Sequence, residues 1–171
     1  KSDIPEIISE IKDNKLDGIN VTVPFKSDVI PFLDTLSEES QITQSVNTIY
    51  KHDKKLVGHN TDIKGFKLSL EETQFNLENK TIFILGAGGV VPSIIYALEK
   101  LGVSKIIVSN RTKQKTKNLK KYFSNISVID WGSQPEFDMI INATSLGLNK
   151  EDNVGLNFRN INKESLFYDV I

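Results

Sequence analysis

The sequence contains no cysteine among its 171 residues. Disulfides, thiolate metal sites and cysteine nucleophiles are therefore excluded, and a chain without cysteine fits the reducing cytoplasm. No apolar run approaches the ~20 residues that a membrane-spanning helix needs, and the first residues show no signal-peptide pattern. We therefore expect a cytoplasmic globular protein that makes no membrane contact.

Neither sign of charge dominates the sequence. It carries 21 Lys and Arg residues against 22 Asp and Glu residues, a formal net charge of -1. That balance gives no bulk electrostatic reason to expect a nucleic acid as partner. Arginine is scarce and occurs only at Arg111 and Arg159, so each arginine is more informative than any one lysine. We expect the partner to be a small molecule.

One stretch, residues 81–91, organises the chain. Five strand-type residues run directly into the glycine turn Gly86-Ala87-Gly88-Gly89, and apolar residues at helical spacing follow it. Such a turn lets backbone N–H groups approach a pyrophosphate at the positive end of the helix dipole. Val91 replaces the third glycine of the full fingerprint, so helix and strand should pack less closely. The pattern predicts a dinucleotide site, with a ligand-free glycine turn as the alternative.

The residues before this stretch predict short, mixed elements. The expected elements are a helix over 5–14, a strand over 19–23 that Pro24 ends, one or two short helices within 27–40 interrupted near Pro31, a hairpin with arms at 45–50 and 56–60, and a helix capped by Thr61. Lys26 follows the strand and Asp62 opens the helix. On this pattern alone, Lys26 is one of many surface lysines and Asp62 a carboxylate that complements the helix dipole.

The residues after position 80 predict alternating strands and helices. The expected strands are 81–85, 103–109, 127–130, 139–143 and 166–171, with helices after the glycine turn and over 113–123. Strands that alternate with helices are typical of a parallel, doubly wound sheet. We therefore predict an α/β protein.

The end of the second of these strands indicates which dinucleotide binds. An NAD site normally has an Asp or Glu ~20 residues beyond the glycines, bonded to the ribose. Here the strand ends in Ser109-Asn110-Arg111-Thr112, without a carboxylate, and Lys113 and Lys115 follow. Cations oppose the dipole at a helix N-terminus, and a 2′-phosphate would compensate them. We predict NADP, with a solvated helix terminus as the alternative.

Motifs along nearly the whole chain resemble those of the shikimate dehydrogenase family, including its quinate/shikimate branch. They are Asn20-Val21-Thr22-Val23-Pro24-Phe25-Lys26, Ser45-Val46-Asn47-Thr48, Gly58-His59-Asn60-Thr61-Asp62-Ile63-Lys64-Gly65, Gly86-Ala87-Gly88-Gly89, Asn110-Arg111-Thr112, Asn142-Ala143-Thr144-Ser145-Leu146-Gly147 and Tyr168-Asp169-Val170. Together, in this order and at family-like spacing, these motifs are specific.

The resemblance implies reversible, NADPH-dependent reduction of 3-dehydroshikimate to shikimate in aromatic amino acid biosynthesis, without a metal. It implies that Lys26 is the catalytic lysine and Asp62 its partner. Chemistry agrees, because an ammonium held by a carboxylate can donate to the oxygen on which charge builds. The implied substrate contacts are Thr22, Lys26, Asn47 and Asp62. The implied cofactor contacts are Gly86, Gly88, Gly89, Asn110, Arg111, Thr112 and Lys115, with Asn142, Thr144 and Ser145 on the nicotinamide side.

The implied domains are a smaller α/β substrate-binding domain (1–61), a connecting helix and linker (62–79) and a Rossmann NADP-binding domain (80–171). The chain opens at Lys1 without methionine and stops at Ile171 inside a strand-like run, so we expect a fragment that lacks both termini. The family's serine pair for the substrate carboxylate would precede Lys1. We therefore expect the fragment to bind NADP better than shikimate. A homodimer stays open.

Two other functions remain as alternatives. A quinate/shikimate enzyme that uses NAD is the nearer one, and Arg111 without an acidic residue at the strand end argues against it. A non-catalytic sensor on the same fold is the more distant one, and the intact pair of Lys26 and Asp62 argues against that. A dehydrogenase with a similar NADP domain but another substrate would not need the motif that ends at Lys26.

Overall fold

A computed structural model of the protein describes residues 3–157 and 161–170. Its helices are α1 (Ile4–Lys12), α2 (Glu38–Thr43), α3 (Asp62–Glu72), α4 (Val91–Lys100) and α5 (Lys113–Tyr122), with a 3-10 turn over Ile30–Phe32. Its strands are β1 (Gly18–Asn20), β2 (Thr35–Leu36), β3 (Thr48–His52), β4 (Lys55–His59), β5 (Thr81–Leu85), β6 (Lys105–Ser109), β7 (Ile126–Ile129), β8 (Met139–Asn142) and β9 (Leu166–Asp169).

The first four strands form a mixed sheet in the order β1-β3-β4-β2. The predicted hairpin is present: β3 and β4 pair antiparallel, and Asp53 and Lys54 at its tip both have positive φ, as a two-residue type I′ turn requires. Strand β2 pairs parallel with β4. Ile8 and Ile11 of α1 pack with Ile49 and Leu56 of the hairpin in one buried cluster.

Two expectations for this first sheet are wrong. Strand β1 ends at Asn20 instead of Val23, because the N–H of Phe25 donates to the carbonyl of Thr22 (2.9 Å) and the chain turns out of the ladder. Pro31 does not interrupt a helix but lies inside the 3-10 turn, and a strand, β2, follows that turn. A two-residue strand is too short to show periodicity and exists only through its partner β4.

The second sheet is entirely parallel, in the order β7-β6-β5-β8-β9. The chain starts in the middle at β5, builds outward to β7, and then returns to add β8 and β9 on the other side. This is the predicted doubly wound, Rossmann-type α/β arrangement. Its elements match the prediction to within two residues at most ends, and Ile171, where the last predicted strand ends, lies outside the described residues.

The glycine turn leaves the sheet at its central strand. Alternate residues of β5 enter two cores: Ile82 and Ile84 pack against the side of α3, α4 and α5, whereas Phe83 and Leu85 pack on the opposite face. Burial of both faces is typical of a central parallel strand. In register, Leu85 lies opposite both Ser109 and Asn142, so the residues that follow these three strands share the carboxyl edge of the sheet.

Asp138 anchors the amino edge of the same sheet. Its carboxylate accepts hydrogen bonds from the N–H of Thr81 (2.8 Å) and from the Lys80 ammonium (3.2 Å). The backbone hydrogen bond from Thr81 is the main cause that lowers the pKa of Asp138; partial burial opposes it, and the ion pair with Lys80 adds to it.

Asp138 therefore predicts a pH dependence of stability. Its folded-state pKa lies below the unfolded value of ~3.9, so the carboxylate stabilises the fold above that pH and the contribution is lost as the pH falls through the folded pKa. We expect Asp138→Asn to lower the melting temperature at pH 7, with a gap to wild type that narrows below about pH 4. Thermal unfolding of both proteins between pH 7 and pH 3 measures this gap. A constant gap would contradict the assignment.

Candidate functional site

Lys26 and Asp62 form an ion pair at the junction of the two sheets. The Lys26 ammonium contacts the Asp62 carboxylate at 2.7 Å between Nζ and Oδ2, and the two side chains are only 11% and 23% exposed. Lys26 follows the turn at the end of β1, and Asp62 is the first residue of α3. The structure thus brings together two residues that are 36 positions apart and that the sequence predicts as catalytic partners.

Two asparagines hold Asp62 in place, one through its carboxylate and one through its backbone. The Asn47 amide donates to Oδ1 of Asp62 (2.9 Å), which leaves Oδ2 for Lys26. The Asn60 side-chain oxygen accepts the backbone N–H of Asp62 at 3.0 Å. Helix α3 begins where predicted, but the Thr61 hydroxyl makes no capping bond and instead accepts from Asn47 (2.8 Å).

The glycine turn follows the central strand β5 and precedes α4. Gly86 has φ +109°, and a Cβ added there would lie 2.4 Å from the carbonyl oxygen of Ala143. Only glycine fits such a position, because the conformation and the close approach both exclude a side chain. At Gly88 and Gly89 an added Cβ would meet its nearest atoms at 3.9 Å and 3.8 Å. These two residues therefore leave space in front of the turn that a side chain would fill.

Lys26, the lysine of the ion pair, and the glycine turn border one cleft of about 410 Å³. Lys26 lies on one wall, Gly88 and Gly89 lie on another, and Lys115 joins them from α5. An added Cβ at Gly89 would stand 3.8 Å from Cδ of Lys26. The proposed proton donor and the proposed phosphate turn are therefore neighbours.

Two basic residues beyond β6, Arg111 and Lys113, lie near carboxylates of the chain itself. Lys113 pairs with Asp130 at the end of β7 (2.7 Å), and their mutual hydrogen bond raises the pKa of Lys113 and lowers that of Asp130. For Lys113 the expected compensating partner is therefore present, and it is Asp130 instead of a bound phosphate. The pKa of the Asp152 carboxyl is lowered mainly by backbone hydrogen bonds from Asn149 and Gly147. The nearby positive charge of Arg111 lowers this pKa further. Arg159 lies outside the described residues.

The loop after β8 is shaped by its own polar side chains. Asn142 donates to the carbonyl of Leu146 (2.8 Å) and to Asp169 on β9 (3.2 Å), and its side-chain oxygen accepts from the Thr144 hydroxyl (2.7 Å). Ser145 is exposed at the tip of this loop. Asn142 and Thr144 thus fix the loop conformation at the carboxyl edge of the sheet, next to the glycine turn that Ala143 contacts.

Of the remaining predicted contacts, two lie at the edge of the second sheet that carries the glycine turn, and one borders a separate hollow. Asn110 and Thr112 lie at the carboxyl edge, where the Asn110 amide donates to the carbonyl of Thr112 (3.0 Å) and shapes the start of α5. Thr22 does not border the cleft that Lys26 lines. It borders a separate, largely apolar hollow of about 230 Å³ between α1 and the end of β1.

Sequence reasoning missed three buried polar residues at the junction of the two sheets. Asn60 donates to the carbonyl of Ser45 (2.8 Å) and to the Ser93 hydroxyl (2.9 Å), and the Ser45 hydroxyl donates to the carbonyl of Gly89 (3.1 Å). Asn60 and Ser45 lie inside two of the family-like motifs, but the motifs alone predict no role for either residue. No sequence signal separates Ser93 from other helical serines, because its partner is 33 residues away.

Two further features are absent from residues 3–157 and 161–170. No helix there has the length and apolar character needed to span a membrane. No three His, Asp or Glu side chains come together there in a way that could hold a metal ion. The site is thus an ion pair, a glycine turn and a set of hydrogen-bonding side chains.

Two family models match most of the chain, on either side of residues 50–67. The model described as the shikimate dehydrogenase substrate binding domain matches residues 1–49. The model described as shikimate / quinate 5-dehydrogenase matches residues 68–166, more than half of the chain.

Individual relatives agree with these models. The shikimate dehydrogenase (NADP(+)) of Pelagibacter ubique strain HTCC1062 is 58% identical over 99% of this chain and 64% of its own length. The crystal structure of shikimate dehydrogenase from Aquifex aeolicus has a TM-score of 0.89 at 36% identity, over 99% of this chain and 64% of that one. A shikimate dehydrogenase solved in complex with NADP+ has a TM-score of 0.88 at 28% identity, over 99% of this chain and 63% of that one. The chain thus spans less than two thirds of the length of these relatives.

Proposed function

The chain belongs to the shikimate / quinate 5-dehydrogenase family, and from that premise we propose that the protein interconverts 3-dehydroshikimate and shikimate with NADP(H) as cofactor. The observation that carries the proposal is that Lys26, paired with Asp62, and the glycine turn border one cleft. A reductase needs a proton donor beside the place where a dinucleotide binds. The name of the Pelagibacter ubique relative supports the choice of substrate and cofactor.

Lys26 would transfer the proton, and Asp62 and Asn47 would hold the lysine in position. In the reductive direction the Lys26 ammonium donates a proton to the substrate oxygen, on which negative charge builds. In the oxidative direction neutral Lys26 takes the hydroxyl proton. Asp62 orients the ammonium through the 2.7 Å contact, and Asn47 holds the second carboxylate oxygen of Asp62. NADPH, when bound, supplies the hydride.

The chain's residues fit a dinucleotide. Gly88 and Gly89 leave open space at the start of α4, where the first N–H groups of the helix have no intrahelical partners. We propose that Gly86, Gly88 and Gly89 form the pyrophosphate site, and that Asn110, Arg111, Thr112 and Lys115 hold the adenosine 2′-phosphate. Asn142, Thr144 and Ser145 would border the nicotinamide. Thr22 and Asn47 would contact the substrate, although Thr22 borders a separate hollow and not the cleft that Lys26 lines.

Arg111 predicts the cofactor preference. We expect Arg111→Gln to raise the KM for NADP+ about 10- to 100-fold, the cost of losing a charge-assisted bond to phosphate, and to leave the KM for NAD+ nearly unchanged. Steady-state rates with both cofactors measure the change. Lys121→Gln is the matched control, because Lys121 is an exposed cation in the last turn of α5, the helix that begins two residues after Arg111. An equal effect on NADP+ and NAD+ would contradict the role.

We also propose the division into a substrate domain (1–61), a connecting helix and linker (62–79) and a cofactor domain (80–171). The separation of the first sheet's core from the second supports it, although Ile63, Phe66 and Leu70 of α3 pack into the second core. A cytoplasmic location fits a cysteine-free protein. The homodimer stays a proposal that the oligomeric state in solution would test.

The test of the proposed function is a set of initial rates on the full-length protein. We expect turnover with shikimate and NADP+, and at least tenfold lower kcat/KM when quinate replaces shikimate or NAD+ replaces NADP+. Quinate belongs in the set because the family model names both substrates. Turnover with quinate or NAD+ alone would reassign the protein within the family. Binding of NADPH without turnover of either substrate would favour the sensor.

A further inference from the structure

The segment 45–47 touches both sides of the cleft, and the function proposed above gives Ser45 no role. The Ser45 hydroxyl donates to the carbonyl of Gly89 in the glycine turn (3.1 Å). The next residue, Val46, donates its N–H to the carbonyl of Lys26 (2.9 Å), and Asn47 donates to Asp62 (2.9 Å). Three consecutive residues are thus bonded to the glycine turn, the lysine and the aspartate.

The bond from Ser45 acts on the part of the glycine turn that faces a phosphate. A peptide unit is planar and trans, so a bond that fixes the carbonyl of Gly89 also fixes the direction of the N–H of Val90. Val90 is the residue that precedes α4. N–H groups at the start of a helix are the ones that receive an anion. Ser45, which comes from the first sheet, therefore orients a donor of the second.

Asn60 ties the same segment to helix α4. Its side chain donates to the carbonyl of Ser45 and to the hydroxyl of Ser93, the third residue of α4, and accepts the N–H of Asp62. Asn60, Ser45 and Ser93 are all at least 97% buried. A buried polar network in which every group is satisfied is rigid and holds its members in one arrangement.

We propose that Ser45 is a positioning residue that couples the two halves of the cleft. An anion on the glycine turn steadies the peptide that Ser45 holds, and segment 45–47 transmits that order to Lys26 and Asp62. Cofactor and substrate then raise each other's affinity by the same factor, as linkage requires. The inference rests on the proposed function, because it takes NADPH as the anion and shikimate as the substrate.

The test measures this factor with a pair of ligands that cannot react. NADPH and shikimate are both reduced, so the dissociation constant of shikimate can be measured with and without saturating NADPH on the full-length protein. We expect wild type to bind shikimate at least fivefold more tightly with NADPH. We expect Ser45→Ala and Ser93→Ala each to reduce that factor at least about threefold, towards one, the effect of one lost hydrogen bond.

Ser40→Ala is the matched control. Ser40, like Ser93, is a fully buried serine in a helix with one side-chain partner, Ser37, and it is not among the residues that border the cleft. It should lower the melting temperature and leave the factor unchanged. A wild-type factor of one, or an unchanged factor in both Ser45→Ala and Ser93→Ala, would overturn the inference while normal turnover leaves the proposed function intact. Absence of wild-type turnover would overturn both.

Discussion

Replacing Lys26 by alanine should lower kcat by about 100- to 10,000-fold, the range that a positioned general acid or base contributes. The affinity for NADPH should change less than twofold. The reason is geometric: the Lys26 ammonium is held at 2.7 Å by Asp62, so its loss removes the proton donor and leaves the glycine turn untouched. Steady-state kinetics and a separate NADPH titration on the full-length protein measure the two effects.

The chain supplies a matched control for this substitution. Lys80 also pairs with an aspartate, Asp138, at 3.2 Å, but this pair lies at the amino edge of the second sheet. Lys80→Ala should lower the melting temperature slightly and leave kcat at the wild-type value. Equal losses of kcat in Lys26→Ala and Lys80→Ala would show that the loss reflects damage to the fold. Wild-type turnover in Lys26→Ala would refute the proposed mechanism.

Gly86→Ala is the second substitution with a large expected effect. Gly86 has φ +109°, and its Cβ would lie 2.4 Å from the carbonyl oxygen of Ala143. Backbone strain and a clash with backbone add together, so we expect the free energy of unfolding to fall by at least about 3 kcal/mol. Because Ala143 belongs to the loop after β8, the clash would also displace that loop and weaken NADPH binding. Chemical unfolding and NADPH titration measure the two losses.

Two other glycines separate strain from clash. Gly132 has φ +89° with open space around it, so Gly132→Ala should cost only the strain, about 1–2 kcal/mol. Gly65 lies inside α3, also in open space, and Gly65→Ala should stabilise the helix by about 0.5–1 kcal/mol. The expected order of stability is Gly65→Ala, wild type, Gly132→Ala, Gly86→Ala. A Gly86→Ala protein as stable as Gly132→Ala would contradict the close approach seen at Ala143.

The second sheet was predictable because its signals are local. Residues 82–85 are apolar without alternation, the glycines follow at once, and the next apolar residues recur at helical spacing. Each of these features depends on neighbouring residues only, and buried parallel strands have this pattern. The two-residue strand β2 has no such signal, since it is defined by its pairing with β4. Strand β1 ended early for a similar reason: the turn at Thr22 to Phe25 decides it.

The candidate site was likewise predictable only where its signals are local. The resemblance of the motifs around Lys26 and Asp62 to those of a known family made these two residues candidates, but only the fold brings Nζ and Oδ2 to 2.7 Å. The partner of Lys113 could not be identified from the sequence, because Asp130 lies 17 positions further along the chain, just after strand β7. Ser93 gave no signal at all, because a buried serine in a helix is common and its partner Asn60 lies in a distant loop. Long-range hydrogen bonds are the part of the site that a single sequence does not contain.

The most direct test of the account follows the hydride itself. Full-length protein would be incubated with 3-dehydroshikimate and NADPH carrying deuterium at both C4 positions of the nicotinamide, and the product would be analysed by mass spectrometry. The account predicts shikimate heavier by one deuterium, formed by wild type and nearly absent with Lys26→Ala. Unlabelled product, or no product from a wild-type protein that binds NADPH, would contradict hydride transfer in this cleft.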